Sequence, residues 1–316
     1  MALLGIFASA ILPVIAIAAV GFALGRVKGV QPDALNTVTV YLLAPALVLH
    51  SLATSALGGS TILEIVAVVA VFSLAMIVLA EGIGRASGRS EPLLGAFVMV
   101  VIFPNVGNFG IPLADFAFGQ VGRSVAVLVT AVQGVLLYTL GVYVAARGDE
   151  GAVRENVKRV FSLPLVYAVL VALAARWLGV VPPTDSTLMQ TLELLGNASI
   201  PVMLVVLGIQ LSSVDVEGAL RPVGLASGVK LVVAPVVALA AALLVGFGDA
   251  TVARVVVLLL AGPTAVTPII LVGAFSADTD GITASEFVSA TVFLTTVASV
   301  VTVTALVAIL QSGVVL

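Results

Sequence analysis

Ten apolar runs, each about as long as a bilayer is thick, leave this chain few folds to choose from. They cover about 4–25, 34–56, 61–82, 92–118, 122–146, 160–179, 187–212, 222–246, 251–275 and 284–311. Roughly 20 apolar residues are needed to cross a hydrocarbon core about 30 Å thick. Only helices and closed barrels satisfy every backbone group there, and runs of this length are helical. With 61% hydrophobic and 9% charged residues and a mean hydropathy of +1.29, the chain reads as an all-α integral membrane protein. The connections are short and hold turn formers such as Gly58-Gly59, Pro182-Pro183 and Asp278-Thr-Asp-Gly281. No stretch is long enough for a separate soluble domain. The first apolar run has no basic residues before it and no clear cleavage site, and is read as a retained helix.

Charge sets the orientation. Connections after runs one, three, five and seven carry Arg26, Lys28, Arg85, Arg89, Arg147, Arg154, Lys158, Arg159 and Arg221, against Arg123, Arg176 and Arg254 on the other side. Positive residues stay in the cytoplasm, so the loop 147–159 is expected inside and both termini outside, in the inner (plasma) membrane of a cell. The acidic connection Ser276 to Glu286 runs against this trend. A net charge of −3 and the lack of a basic run argue against nucleic acid as a partner. With no cysteine and His50 as the sole histidine, thiolate chemistry and His or Cys metal clusters are excluded. No cofactor or metal is expected, and no nucleotide-binding motif couples the chain directly to ATP.

Five runs precede the hydrophilic stretch 147–159 and five follow it. An odd number per half makes the halves enter the membrane from opposite sides, so the expected organisation is an inverted repeat: 1–146, a cytoplasmic linker 147–159, and 160–316. The halves share a landmark spacing. Pro45 and Pro201 are 156 residues apart, and so are Pro112 and Pro268. Proline in a helix interior removes a hydrogen bond and clashes with the turn before it, and lipid does not replace that bond. Runs four and nine are therefore expected to be broken helices crossing at Pro112 and Pro268, where half-helix ends serve a polar solute.

The residues around the breaks are the candidate site. Asn105 and Asn108 lie one turn apart before Pro112 and have amides able to donate to a carboxylate. Their other role would be to satisfy backbone groups freed by the break. Gln133 and Tyr138 on run five, and Thr264, Val266 and Thr267 before Pro268, complete the expected lining. Threonines in membrane helices also bond back to their own helix. Lys230, the one basic residue more than a turn inside a run, either snorkels to the headgroups or faces inward as an electrostatic or coupling group. Glu64, near a run end, is the candidate proton-sensitive carboxylate. His50 is expected to pack rather than relay protons.

Several motifs resemble the auxin efflux carrier family, the plant auxin carriers and their prokaryotic relatives. Pro104-Asn105 followed by Gly110-Ile-Pro-Leu113 is similar to that family's P-N-x-x-x-x-G-I-P-L. Gln133-Gly-Val-Leu-Leu-Tyr138-Thr-Leu140 resembles Q-x-x-x-W-Y-T-L, with Leu137 for the tryptophan. Ala261-Gly-Pro263 and Pro268 resemble A-L-P-x-x-x-x-P, Lys230 to Pro235 resembles R-F-x-x-G-P, and Ala44-Pro45 to His50 follows the plant pattern. The plant proteins have an acid and a lysine near the start of run three, where this chain has Glu64 and no lysine.

The resemblance implies a fold related to the bile acid–sodium symporters, with crossed helices four and nine. It implies a homodimer through a scaffold of runs 1, 2, 6 and 7, and a transport domain of runs 3–5 and 8–10 that moves like an elevator. Implied substrates are small organic anions, either auxin-like aromatic acids or dicarboxylates such as malate and malonate. The alternatives are a sodium- or proton-coupled symporter of a bile-acid-like solute, or a channel or sensor on the same fold. An enzyme is not expected.

Overall fold

The computed structural model describes Gly5 and residues 7–146, 164–214, 220–275 and 282–316. The expected linker 147–159 lies outside the described residues. The helices are α1 (Phe7–Lys28), α2 (Asp33–Ala53), α3 (Gly59–Ala86), α4 (Leu93–Ile102), α5 (Val106–Ala145), α6 (Pro164–Leu178), α7 (Thr187–Ser212), α8 (Val223–Val245), α9 (Ala250–Leu260), α10 (Pro268–Phe275) and α11 (Ala284–Gln311). Among the described residues seven of these, α1, α2, α3, α5, α7, α8 and α11, are long and apolar enough to cross a membrane, and α4, α6 and α9 are shorter apolar helices. The chain is an all-α, multi-pass membrane protein.

α5 does not run straight. At Gly119 the backbone turns to φ 61° and ψ −144°, a conformation open to glycine and strained for other residues. A Cβ on Gly122 would lie 2.1 Å from the Ala114 carbonyl oxygen, yet eight residues of continuous helix would separate these positions by about 12 Å. The two legs therefore fold back on each other at Gly119. Asp115 and Arg123, one on each leg, close the turn with an ion pair at 2.8 Å.

Proline shapes the other helices more gently. The residue before Pro45, Pro112 and Pro235 donates its N–H five residues back rather than four: Ala44 to Thr39, Ile111 to Val106 and Ala234 to Val229. A proline ring clashes with the carbonyl four residues earlier, and a turn widened by one residue takes that carbonyl out of its way. Asn108 and Lys230 lie within two of these widened turns, and Tyr138 in a fourth that has no proline.

Small residues bring α1 and α7 into backbone contact. A Cβ on Gly21 would meet the Val205 oxygen at 2.2 Å, and one on Gly208 would meet the Ala18 oxygen at 1.9 Å. Such close approach drives helix association in lipid, where the hydrophobic effect supplies little. Polar contacts also tie helix ends together. Arg26 at the end of α1 donates to the Ser212 carbonyl at the end of α7. Arg176 near the end of α6 donates to the Leu57 carbonyl after α2, and Gln120 at the α5 turn reaches Thr54 just beyond α2.

The innermost elements are the two short helices that stop at mid-chain breaks. Residues 94–102 of α4 are buried without exception, as are 252, 253 and 255–260 of α9. Their sequences, Leu-Leu-Gly-Ala-Phe-Val-Met-Val-Val-Ile and Ala-Thr-Val-Ala-Arg-Val-Val-Val-Leu-Leu-Leu, are apolar nearly all round, as a helix enclosed by other helices requires.

Candidate functional site

α4 ends two residues before Pro104, whose missing N–H leaves the Val100 carbonyl without a helical donor. Asn105 N–H, which would have served Val101, bonds instead to the Pro263 carbonyl at 2.7 Å, and Ala265 N–H bonds to the Phe103 carbonyl at 2.8 Å. These two exchanges pair Pro104 with Thr264 antiparallel, as in one rung of a sheet. They are the physical crossing of the two broken helices. The crossing therefore lies at Pro104 and Thr264, and the expectation that placed it at Pro112 and Pro268 is corrected. Pro268 is the first residue of α10 and Pro112 follows a widened turn at the start of the helical run Ile111–Leu136. A proline at a helix start gives up an N–H that has no intrahelical partner anyway.

Two side chains from other elements satisfy the Val100 and Val101 carbonyls stranded by the break, and a third adds a donor to Pro104 O, which also accepts the Val106 N–H at 2.9 Å. Thr264 Oγ1 donates to Val100 O at 2.9 Å, and Lys230 Nζ donates to Val101 O at 3.1 Å. Gln133 Nε2 donates to Pro104 O at 2.8 Å. All three side chains are buried, Thr264 and Lys230 completely. Lys230 thus faces inward and does not snorkel, and its ammonium also lies 6.0 Å from the centre of the Phe72 ring. Thr264 N–H donates to Thr295 Oγ1 on α11 at 3.1 Å, a partner that sequence reasoning missed. Its signal was faint: buried hydroxyls at Thr291, Thr295, Thr296 and Ser299 in a helix that holds other serines and threonines as well.

On the far side of the break a helix begins again. Asn105 Oδ1 accepts the Asn108 N–H at 3.2 Å and caps the new start. The other half of that amide, Nδ2, is buried and has no hydrogen-bond partner. Asn105 is 6% exposed. Beside it Gly107 and Asn108 are half-buried, as are Val266 and Thr267 ahead of α10, while Pro112 and Pro268 are buried. The crossing thus offers a donor at the N-terminal end of α5, where the helix dipole favours negative charge.

The remaining candidates stand less close to the break. Tyr138 is half-buried one widened turn beyond Gln133. Glu64 is half-buried on α3 with one carboxylate oxygen enclosed and lacking a hydrogen bond.

The chain matches the family described as membrane transport protein over residues 6–161 and again over 154–307. It belongs to that family. This is the auxin efflux carrier-type family that its motifs resemble, and membership points to transport rather than catalysis. The membrane transport chain is also 26% identical over 288 residues to a Rhizobium meliloti protein named "Putative malonate transporter", covering 88% of this chain and 87% of that one. It is 23% identical over 193 residues to an uncharacterized transporter of Methanocaldococcus jannaschii, covering 60% of this chain and 62% of the archaeal protein.

Proposed function

We propose that this membrane transport protein carries small organic anions across a cell membrane, with a short dicarboxylate of the malonate type as its best-supported substrate. The observation behind this reading is the unpartnered Asn105 Nδ2 at the start of a helix. A buried amide donor without an acceptor costs about 1–3 kcal/mol, and a carboxylate oxygen is the acceptor best matched to it and to the helix dipole. The half-exposed Asn108, Val266 and Thr267 line the same place, and the name of the Rhizobium relative supports the dicarboxylate.

The mechanism we infer is alternating access of the elevator type. Ten spans form from the described helices when α4 joins the first leg of α5, the second leg stands alone, and α9 joins α10. α1, α2, α6 and α7 serve as a scaffold through which two copies pair, and α3–α5 with α8–α11 travel as the transport domain. The α1–α7 glycine contact supports a rigid scaffold. The pairing of the end of α1 with that of α7, and of the end of α2 with that of α6, supports the alternation of span directions on which the charge reading rests. The two family segments, meeting near the linker, support an inverted repeat.

The test is uptake of labelled malonate by liposomes holding the purified chain, competed by malate, indole-3-acetate and acetate. Asn105→Ala should weaken uptake by about tenfold or more, since it removes a charge-assisted donor worth roughly 1.5–3 kcal/mol. Saturable uptake equal in wild type and Asn105→Ala would refute the site. Current that does not saturate would refute the carrier in favour of a channel.

A further inference from the structure

The charge balance at the break is unusual. Residues 93–114 and 261–275, which contain both breaks, hold no carboxylate and no basic residue. The charged group that reaches the crossing comes from outside, from Lys230 on α8. It is 0% exposed. It contacts the Val101 carbonyl and the Phe72 ring, and neither of the ion pairs among the described residues, Glu81–Arg85 and Asp115–Arg123, involves it. A charge at this depth is costly and is kept where it has work to do.

Its position gives the reason. The carbonyl-rich end of a half-helix carries about half a negative charge. In carriers built on broken helices this is where a transported sodium ion or proton is held. Here the bridge to Pro263 strips Val101 of its backbone donor, and an ammonium nitrogen at 3.1 Å takes the place a free cation would occupy. The half-charge of α4 offsets only part of the ammonium, so positive potential remains beside the start of α5. An anion held there completes the neutralisation.

We propose that Lys230 is a fixed internal cation, seated on the C-terminal end of α4 in place of a co-transported one, so that the anion crosses without an inorganic cation partner. The inference rests on the carrier reading above for its transport consequence, but not for the occupancy of the Val101 carbonyl.

Two measurements separate these. The first needs no substrate: the melting temperature of the purified chain in equal concentrations of choline, sodium or methylammonium chloride. Wild type should melt alike in all three. Lys230→Ala opens the place of the ammonium, and methylammonium should raise its melting temperature by several degrees over choline, by mass action on the folded state. Stabilisation of wild type by sodium, or a Lys230→Ala variant indifferent to methylammonium, would overturn the proposal.

The second is malonate uptake by proteoliposomes. Wild type should take up malonate equally in sodium and choline. Lys230→Met, a neutral side chain of similar length that spares the fold a buried charge, should lower uptake by roughly tenfold or more, as loss of a buried charge from a binding site does. Methylammonium should restore part of the uptake of Lys230→Ala, which a purely structural role for Lys230 would not allow. Sodium-dependent uptake in wild type, or full uptake in Lys230→Met, would overturn the role of Lys230. Vesicles of wild type that move no carboxylate would instead overturn the carrier reading, and the melting temperatures still judge the cation.

Discussion

Thr264→Val tests whether side chains at the crossing hold up the backbone, because it exchanges a hydroxyl for a methyl and little else. Thr264 is fully buried, and its hydroxyl is the donor to Val100 O that replaces the N–H lost at Pro104. Without it, a carbonyl at the centre of the protein has no donor, at a cost of about 1–3 kcal/mol. A second cost is steric. The new methyl would stand where the hydroxyl lies 2.9 Å from the carbonyl oxygen, inside the roughly 3.3 Å of a carbon–oxygen contact. Hydrophobicity argues the other way, since valine is the more apolar residue of almost the same shape.

The comparison that decides between them is Thr264→Ser. Serine keeps the donor and loses one methyl, at about 0.5–1.5 kcal/mol for a small buried truncation. Valine is expected to cost about 2–3 kcal/mol in all. At no more than roughly 2–4 °C per kcal/mol for a chain of this size, Thr264→Val should melt several degrees below wild type, with Thr264→Ser between them. The assay is thermal unfolding in detergent followed by circular dichroism at 222 nm. A valine variant as stable as the serine variant, or more so, would refute the role of the Thr264 hydroxyl in sustaining the break.

Other substitutions probe the packing that places the site. Gly208→Ala should destabilise by about 1–3 kcal/mol as an overpacked contact, because its Cβ would lie 1.9 Å from the Ala18 oxygen. Gly82→Ala is the control: its Cβ meets nothing within 4 Å on the exposed face of α3, so the melting temperature should hold or rise by the helix propensity gained, up to about 1 kcal/mol. Gly119→Val should cost about 1–3 kcal/mol by forcing a β-branched residue to positive φ, and protease should cut the α5 turn faster in that variant than in wild type.

The helices were legible because length and apolar composition alone determine a membrane span, and the turn at Gly119 fell between the fourth and fifth apolar runs. The break was legible to within a turn or two and no better. Pro104, Pro112, Pro263 and Pro268 look alike in sequence, but a proline at the start of a helix costs nothing and one at its end strands a carbonyl. Which proline did which depended on where the partner strand passed, and that is a contact between residues some 160 positions apart. The direction of Lys230 was hidden for another reason. α8 is apolar on every side around it, so no periodicity marks a face to the protein and a face to lipid.

The same geometry divides the polar residues of the crossing by task. Thr264, Lys230 and Gln133 are spent on the Val100, Val101 and Pro104 carbonyls, all on the C-terminal side of the break. Such groups make a broken helix tolerable inside a membrane. On the N-terminal side, Asn105 uses one end of its amide to start the new helix and leaves the other without an acceptor. A bond to a solute made by Nδ2 costs the protein no internal hydrogen bond, whereas one made by Thr264 would first have to release the Val100 carbonyl. Recruiting that donor would therefore be opposed by roughly the penalty of an unmet buried acceptor, about 1–3 kcal/mol. Direct contact with the solute belongs on the start of α5, and support of the backbone on the end of α4.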